Sequence, residues 1–279
     1  MDLRRRAARR DLGRIAAAGY DGVELLGEPE RWEAPEVRRL LARHRLAPLA
    51  LTASCPVPAT RRDLAHPDPA VREEAVVYLA RCLSFAAAIG APLAQMLPSG
   101  ETRLAPLVSQ EAEWAWSVEA MRAAARVAER LRVRIAIEPL NRYEAYLVTS
   151  VAEALAYVEA VGSPALGLTL DLFHANFEEP DIPAAIRAAA DRLWHVQVAD
   201  SNRQGLGRGH LDLSVCLAAL REIGYAGALV LEVLPPGPDP FRPIKDARSA
   251  GILDGYLRES RRHLQAHGMG VRPAPSTAS

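Results

Sequence analysis

Four polar residues each interrupt a short apolar run. Glu138 closes Ile135-Ala136-Ile137, Asp171 closes Leu168-Thr169-Leu170, Gln197 follows His195-Val196, and Glu232 closes Leu229-Val230-Leu231. Runs of this kind are expected to be buried, and a buried carboxylate is costly unless it is paired, hydrogen-bonded or bound to a cation. Three carboxylates converging without a cation repel and raise one another's pKa. A divalent metal removes that conflict. Any one of these residues alone is an ordinary strand-end or capping group; four on successive strands point to a site. If Gln197 coordinates through its amide oxygen, the donor set is all oxygen, which suits Mg²⁺ or Mn²⁺ better than Zn²⁺. Mn²⁺ is the expected ion, with Mg²⁺ or Co²⁺ as alternatives. Glu138 and Glu232 are in addition groups that can remove and return a proton.

The elements that must carry these residues alternate along the chain. Strands are expected at Gly22–Leu26, Leu46–Thr52, Leu93–Leu97, Arg134–Leu140, Leu166–Leu172, Leu193–Ala199 and Ala228–Leu234. Between them, Val71, Ala75, Leu79, Cys82, Ala86 and Ile89 form a stripe at three- and four-residue steps that stops at Gly90. Further helices are expected over Glu111–Leu131, Val151–Val161, Ile182–Ala190 and Ser214–Ile223. Alternating β and α segments imply parallel strands joined by right-handed crossovers. In such folds the site lies at the carboxyl ends of the strands, where the four polar residues fall. The expected fold is a (β/α)8 TIM barrel lacking its first strand, since only a helix-like segment, Leu3 to Ala18, precedes Gly22. Residues 1–267 are expected to form one catalytic domain and 268–279 a disordered tail. Pro235–Pro243 is expected as a loop.

Composition narrows the function. Lys plus Arg and Asp plus Glu each total 34, so no global field favours nucleic acid or an anionic membrane. Lys245 is the single lysine and lies in the Pro-rich loop region, which argues against Schiff-base chemistry. Cys55, Cys82 and Cys216 are odd in number and fit no pairing motif, as in a reduced compartment. No secretory leader is read at the Arg-rich start, and no apolar run reaches the roughly 20 residues of a membrane span. A cytoplasmic protein is expected.

The run Ile137-Glu-Pro-Leu-Asn-Arg-Tyr-Glu144 resembles the fifth-strand motif of the xylose-isomerase-like TIM barrels, closest to the ketose 3-epimerase (tagatose/psicose 3-epimerase) branch. Asp171-Leu-Phe-His174 resembles the sixth-strand motif. His195-Val-Gln-Val-Ala-Asp-Ser-Asn-Arg203, followed by Gly207-Arg-Gly-His210, resembles the seventh, and Glu232 in Val230-Leu-Glu matches the eighth-strand glutamate. Gly19-Tyr-Asp-Gly-Val-Glu-Leu25 resembles the segment leading through the second strand. The resemblance implies Glu138, Asp171, Gln197 and Glu232 as metal ligands, and Glu144, His174 and Arg203 as contacts to substrate hydroxyls. It implies a homodimer or homotetramer. Gln197 departs from the histidine usual in the 3-epimerases and is similar to the glutamine of hydroxypyruvate isomerases.

The implied reaction is epimerisation of a ketose. The metal polarises the carbonyl and stabilises the enediolate, one glutamate removes the α-proton, and the other returns it to the opposite face. The substrate is then a small sugar or keto acid, with hydroxypyruvate isomerase and inosose isomerase or dehydratase as alternative activities. Arg208, in Gly205-Leu-Gly-Arg-Gly209, keeps a sugar phosphate open; that glycine string lacks the helix start and acidic partner of a dinucleotide site. Two other classes are an endonuclease-IV-like phosphodiesterase, which requires a His-rich multi-zinc cluster, and a degenerate non-catalytic barrel. His195 has no assigned role, and His210 reads as structural.

Overall fold

The computed structural model describes residues 3–53, 60–239 and 241–269. Cys55 and the tail beyond 269 lie outside the described residues. In chain order the elements are α1 (Leu3–Ala17), β1 (Gly22–Gly27), α2 (Ala34–His44), β2 (Ala47–Ala53), α3 (Pro69–Ile89), β3 (Leu93–Met96), α4 (Gln110–Leu131) and β4 (Arg134–Ile137). There follow α5 (Val151–Val161), β5 (Leu166–Asp171), α6 (Leu172–Glu178), α7 (Ile182–Ala189), β6 (Leu193–Val198), α8 (Leu213–Glu222), β7 (Leu229–Leu231) and α9 (Ser249–Ala266).

Local chemistry sets several boundaries. Asp68 caps α3 by accepting from the Ala70 amide, Pro69 opens the helix, and Gly90 ends it at φ 84°. Ser150 and Glu153 form a reciprocal capping box at the start of α5. β3, β4 and β5 are almost wholly apolar and buried because helices cover their outer faces while the barrel closes on their inner ones.

All seven strands are parallel and pair in sequence order, so β1 and β7 are the two edges of a nearly closed barrel. No strand precedes β1 among the described residues, in line with the seven strands expected. The outer layer spans the gap. The last helix, α9, meets the first through Arg14–Asp254 at 3.0 Å, and the Tyr20 hydroxyl donates to the Leu257 carbonyl at 2.8 Å. Arg261 Nε donates to the Gly19 carbonyl at 2.8 Å. One contiguous core joins the helices to the sheet, with Leu51, Met96, Ile135, Leu168 and Val196 fully buried. No helix among the described residues is long and apolar enough to cross a membrane.

Three helices exceed the sequence expectation. α2 and α9 have no counterpart among the expected elements, and α6 begins directly at the end of β5, so His174 stands on a helix and not in a loop. Strands β4 and β7 are shorter than expected, which leaves Glu138 and Glu232 just past their ends.

Candidate metal and proton-transfer site

Asp171 ends β5 and begins α6. Its Oδ1 accepts from the Phe173 amide at 2.9 Å, which caps the helix and fixes the carboxylate so that Oδ2 faces the barrel mouth. Gln197 is its in-register neighbour on β6, so the two side chains stand side by side. Glu138 follows β4 and is buried, receiving a hydrogen bond from Gln95 Nε2 on β3. Glu232 follows β7, with its amide donating to the Val198 carbonyl at 3.0 Å. Arg203 joins the set: Nη1 donates to Asp171 Oδ2 at 2.5 Å, and Nη2 donates to Glu232.

The loop carrying Arg203 is built around Asp200. Its carboxylate accepts from the amides of Ser201 (2.7 Å), Gly207 (2.8 Å) and Leu211 (3.2 Å). Burial alone would raise this carboxyl; the backbone donors outweigh it and hold the pKa below the ordinary value. Gly209 must be glycine here, since a Cβ would collide with Asp200 Oδ1 and Ser201 Oγ. Arg203 itself is left-handed, φ 60°, and its amide donates to the Asp200 carbonyl at 2.8 Å.

His174 Nε2 is 3.5 Å from Asp171 Oδ2 and 3.9 Å from Glu138 Oε1. Together Glu138, Asp171 and His174 bring potential ligand atoms within 4.8 Å of one another. Nδ1 of His174, however, lies 3.2 Å from the Asn141 amide and 2.7 Å from Asn141 Nδ2. A backbone N–H can only donate, so Nδ1 accepts from Asn141, while Nε2 lies 3.3 Å from Arg203 Nη1, which also can only donate. Burial, the leading cause, lowers the His174 pKa. Both ring nitrogens of His174 are thus engaged, one by Asn141 and the other by Arg203. Asn141 also donates to Glu144 at 2.9 Å, placing that carboxylate beside the histidine.

Burial pushes the Glu138 carboxyl well above the ordinary range, and the charges of Glu232 and Asp171 add to the effect. Glu232 is pushed up to about 7 by burial, with Arg203 working against the rise and Asp171 and Glu24 reinforcing it. Glu101, near Glu144 and Arg203, is raised by burial and then by Glu144. Such an accumulation of acids fits a cation. The donor chemistry agrees: Gln197 Oε1 is buried and has no hydrogen-bond partner, an acceptor with nothing to accept. Glu138, Asp171, Gln197 and Glu232 are thus gathered at one end of the barrel, with Glu144, His174 and Arg203 around them.

A profile described as the xylose isomerase-like TIM barrel matches residues 12–267. The chain belongs to that family. It is 31% identical to the D-psicose 3-epimerase of Ruminiclostridium cellulolyticum over 225 residues, 78% of this chain and 75% of that protein. It is 32% identical to the ketose 3-epimerase of Arthrobacter globiformis over 220 residues, 77% of this chain and 73% of that one. The solved D-psicose 3-epimerase with D-tagatose from Clostridium cellulolyticum shares the fold, with TM-score 0.84, 24% identity, and 95% and 94% of the two chains covered.

The sequence reading of this xylose isomerase-like barrel missed Glu24, Gln95 and Asn141, and left His195 without a role. Glu24 on β1 accepts through Oε2 from Gln197 Nε2 and is paired with His195 Nε2, both at 3.1 Å, while Thr52 donates to Oε1. Burial would raise the Glu24 carboxyl, but the hydrogen bond and charge of His195 and the donors Thr52 and Gln197 hold it low. Its signal was legible, an acid inside Val23-Glu24-Leu25 like the one at Glu138. Arg208 is paired at the surface: Nε donates to Glu259 at 2.8 Å and the guanidinium lies over the Tyr256 ring. His210 Nδ1 is 2.9 Å from Ser201 Oγ, within the loop as a structural residue. The multi-histidine cluster of the nuclease reading is not formed among the described residues.

Proposed function

We propose that this chain is a divalent-metal-dependent epimerase of free ketoses, inverting carbon 3 by proton removal and return. The observation that carries the reading is the pair Glu138 and Glu232. They stand three strands apart around the barrel mouth, one on each side of Asp171 and Gln197. A group on each face of the substrate is what inversion by proton removal and return requires. The relatives named D-psicose and ketose 3-epimerase support the same reaction class.

Glu138, Asp171, Gln197 and Glu232 would hold the ion, and their oxygen donors favour Mn²⁺, with Mg²⁺ or Co²⁺ as alternatives. When bound, the ion supplies Lewis acidity that polarises the substrate carbonyl. One glutamate takes the proton from the carbon beside that carbonyl, and the other delivers a proton to the opposite face. The Arg203 guanidinium donates to substrate oxygens, His174 contacts a substrate hydroxyl, and Glu144 accepts from another. Asn141 and Arg203 hold the His174 ring in place from its two nitrogens.

Gln197 favours a second reading, a hydroxypyruvate isomerase-like 1,2-shift, for which one glutamate suffices to shuttle the proton. The test is to incubate the Mn²⁺-loaded enzyme with free ketoses, hydroxypyruvate and inososes in D₂O and follow deuterium incorporation. Exchange at carbon 3 of a ketose with both epimers appearing is the expected result. Exchange confined to hydroxypyruvate supports the second reading, and absence of exchange with every compound overturns both. Glu138→Gln and Glu232→Gln should each lower exchange by roughly 10²- to 10⁴-fold, the usual contribution of a general acid or base.

A further inference from the structure

Gln197 is an ambiguous ligand. Its amide oxygen attracts a cation and its amide nitrogen repels one, and half a turn of the terminal torsion exchanges the two at almost no steric cost. Something must decide which end faces the cation site. Glu24 reaches it from β1 across the barrel interior, with Oε2 at 3.1 Å from Gln197 Nε2. The opposite rotamer would set an amide oxygen against a carboxylate oxygen at that distance, two acceptors with no proton between them. The carboxylate is itself held from two sides, by Thr52 on β2 and by His195 Nε2 at 3.1 Å on β6. With nitrogen committed to Glu24, Gln197 Oε1 is left buried and unpartnered beside its in-register neighbour Asp171. A carbonyl stranded in this way is unfavourable unless something accepts its lone pairs.

We propose that Glu24 is a positioning residue for Gln197: its carboxylate fixes the amide so that the oxygen, and not the nitrogen, enters the cation site. The proposal rests on the reading of that site as a divalent-metal centre. Glu24 touches neither substrate nor ion and acts through the amide alone. The same contact ties β1 to β6 on the side of the barrel where the β1 and β7 edges are not joined.

Mn²⁺ titration calorimetry on the full chain tests this, with metal-free thermal melts to verify folding. Glu24→Met removes the acceptor at similar size and should weaken Mn²⁺ binding by about 10- to 100-fold, the usual cost of losing a partner of a metal ligand. Glu24→Gln retains an oxygen that the two β6 donors will select, and should bind within about 3-fold of wild type, on the same scale. Glu24→Met binding as tightly as wild type overturns the proposal. Glu24→Gln as weak as Glu24→Met also overturns it, because charge and not hydrogen-bond acceptance would then be at work. If Glu24→Met does not fold, the exchanged pair Glu24→Gln/Gln197→Glu decides, compared with Gln197→Glu alone. Positioning expects the exchanged pair to bind Mn²⁺ more tightly, since the amide placed on β1 can donate to the carboxylate placed on β6. A pure charge effect expects the reverse and refutes the idea. A wild-type protein that binds no Mn²⁺, Mg²⁺ or Co²⁺ removes instead the metal-centre reading beneath it.

Discussion

Arg203 Nη1 lies 2.5 Å from Asp171 Oδ2 while its Nη2 reaches Glu232, so one guanidinium bridges acids from the ends of β5 and β7. The planar fork of arginine suits two carboxylates at once, which lysine could not match. Without a divalent ion, Arg203 is the cation that offsets Asp171, Glu138 and Glu232. Arg203→Gln should therefore destabilise the metal-free protein at pH 8 by about 3 kcal/mol, as expected when one partner of a buried pair is removed. The deficit should shrink by pH 5. Glu232, at about 7, is protonated at pH 5, and Glu138 is shifted in the same direction, so the acids need the cation less there. Urea unfolding at the two pH values measures this, and an equal deficit at both would contradict it.

The same raised carboxyls link metal to protons. A ligand must shed its proton before binding an ion, so Mn²⁺ affinity should rise with pH until Glu232, near 7, is ionised. Calorimetry at pH 6 in two buffers of different ionisation enthalpy should report release of at least about one proton per ion bound. Near pH 8.5 the release should be smaller. Heats independent of the buffer at pH 6 would show that these carboxyls are already ionised in the metal-free protein.

How far this site could be read from the chain depends on the kind of signal. Glu138, Asp171, Gln197 and Glu232 were visible because each breaks an apolar run at a strand end, a local pattern fixed by burial. The parallel barrel was visible through strict alternation of short apolar runs with helical stripes. Glu24 carried the same signal as Glu138, yet its partners His195 and Gln197 are 171 and 173 residues away, and no local pattern announces such a pairing. Helix α6 was missed because Asp171 serves as strand end and helix cap at once, with no glycine or proline to mark the change. Outside its Val37, Leu40 and Leu41 stripe, most residues of α2 are charged or histidine, which hides its periodicity. The bridge made by Arg203 depends on a left-handed backbone at a non-glycine residue, which composition does not reveal.

Asp200 should matter through Arg203 and not through contact with substrate. Asp200→Ala leaves the amides of Ser201, Gly207 and Leu211 without their acceptor, and hydrogen bonds to a charged group are worth about 1.5–3 kcal/mol each. Amide exchange over residues 201–211 should accelerate, and kcat/KM for the ketose should fall by at least about 10-fold, a 1.4 kcal/mol loss. Unchanged exchange in that loop would mean that other contacts hold it.

Glu113 offers an acid-stability test away from the proposed chemistry. It is fully buried on α4 and accepts from the amides of Leu107 (2.5 Å) and Val108 (2.8 Å), from the Tyr146 hydroxyl and from Arg103. Burial alone would raise its carboxyl, but the Tyr146 and Arg103 hydrogen bonds, with the Val108 amide, hold it below the ordinary range. A folded-state pKa below the unfolded one stabilises the protein fully above the unfolded value, about 4.3, and the contribution is lost as pH falls through the folded one. Glu113→Gln should thus be less stable than wild type by about 3 kcal/mol at pH 7, because Arg103 loses a buried partner. The gap should close progressively below about pH 4, where wild-type Glu113 begins to protonate on unfolding. Urea unfolding of both proteins from pH 7 down to the acid limit measures the gap. A constant gap would show that the carboxylate charge contributes nothing to holding the loop between β3 and α4.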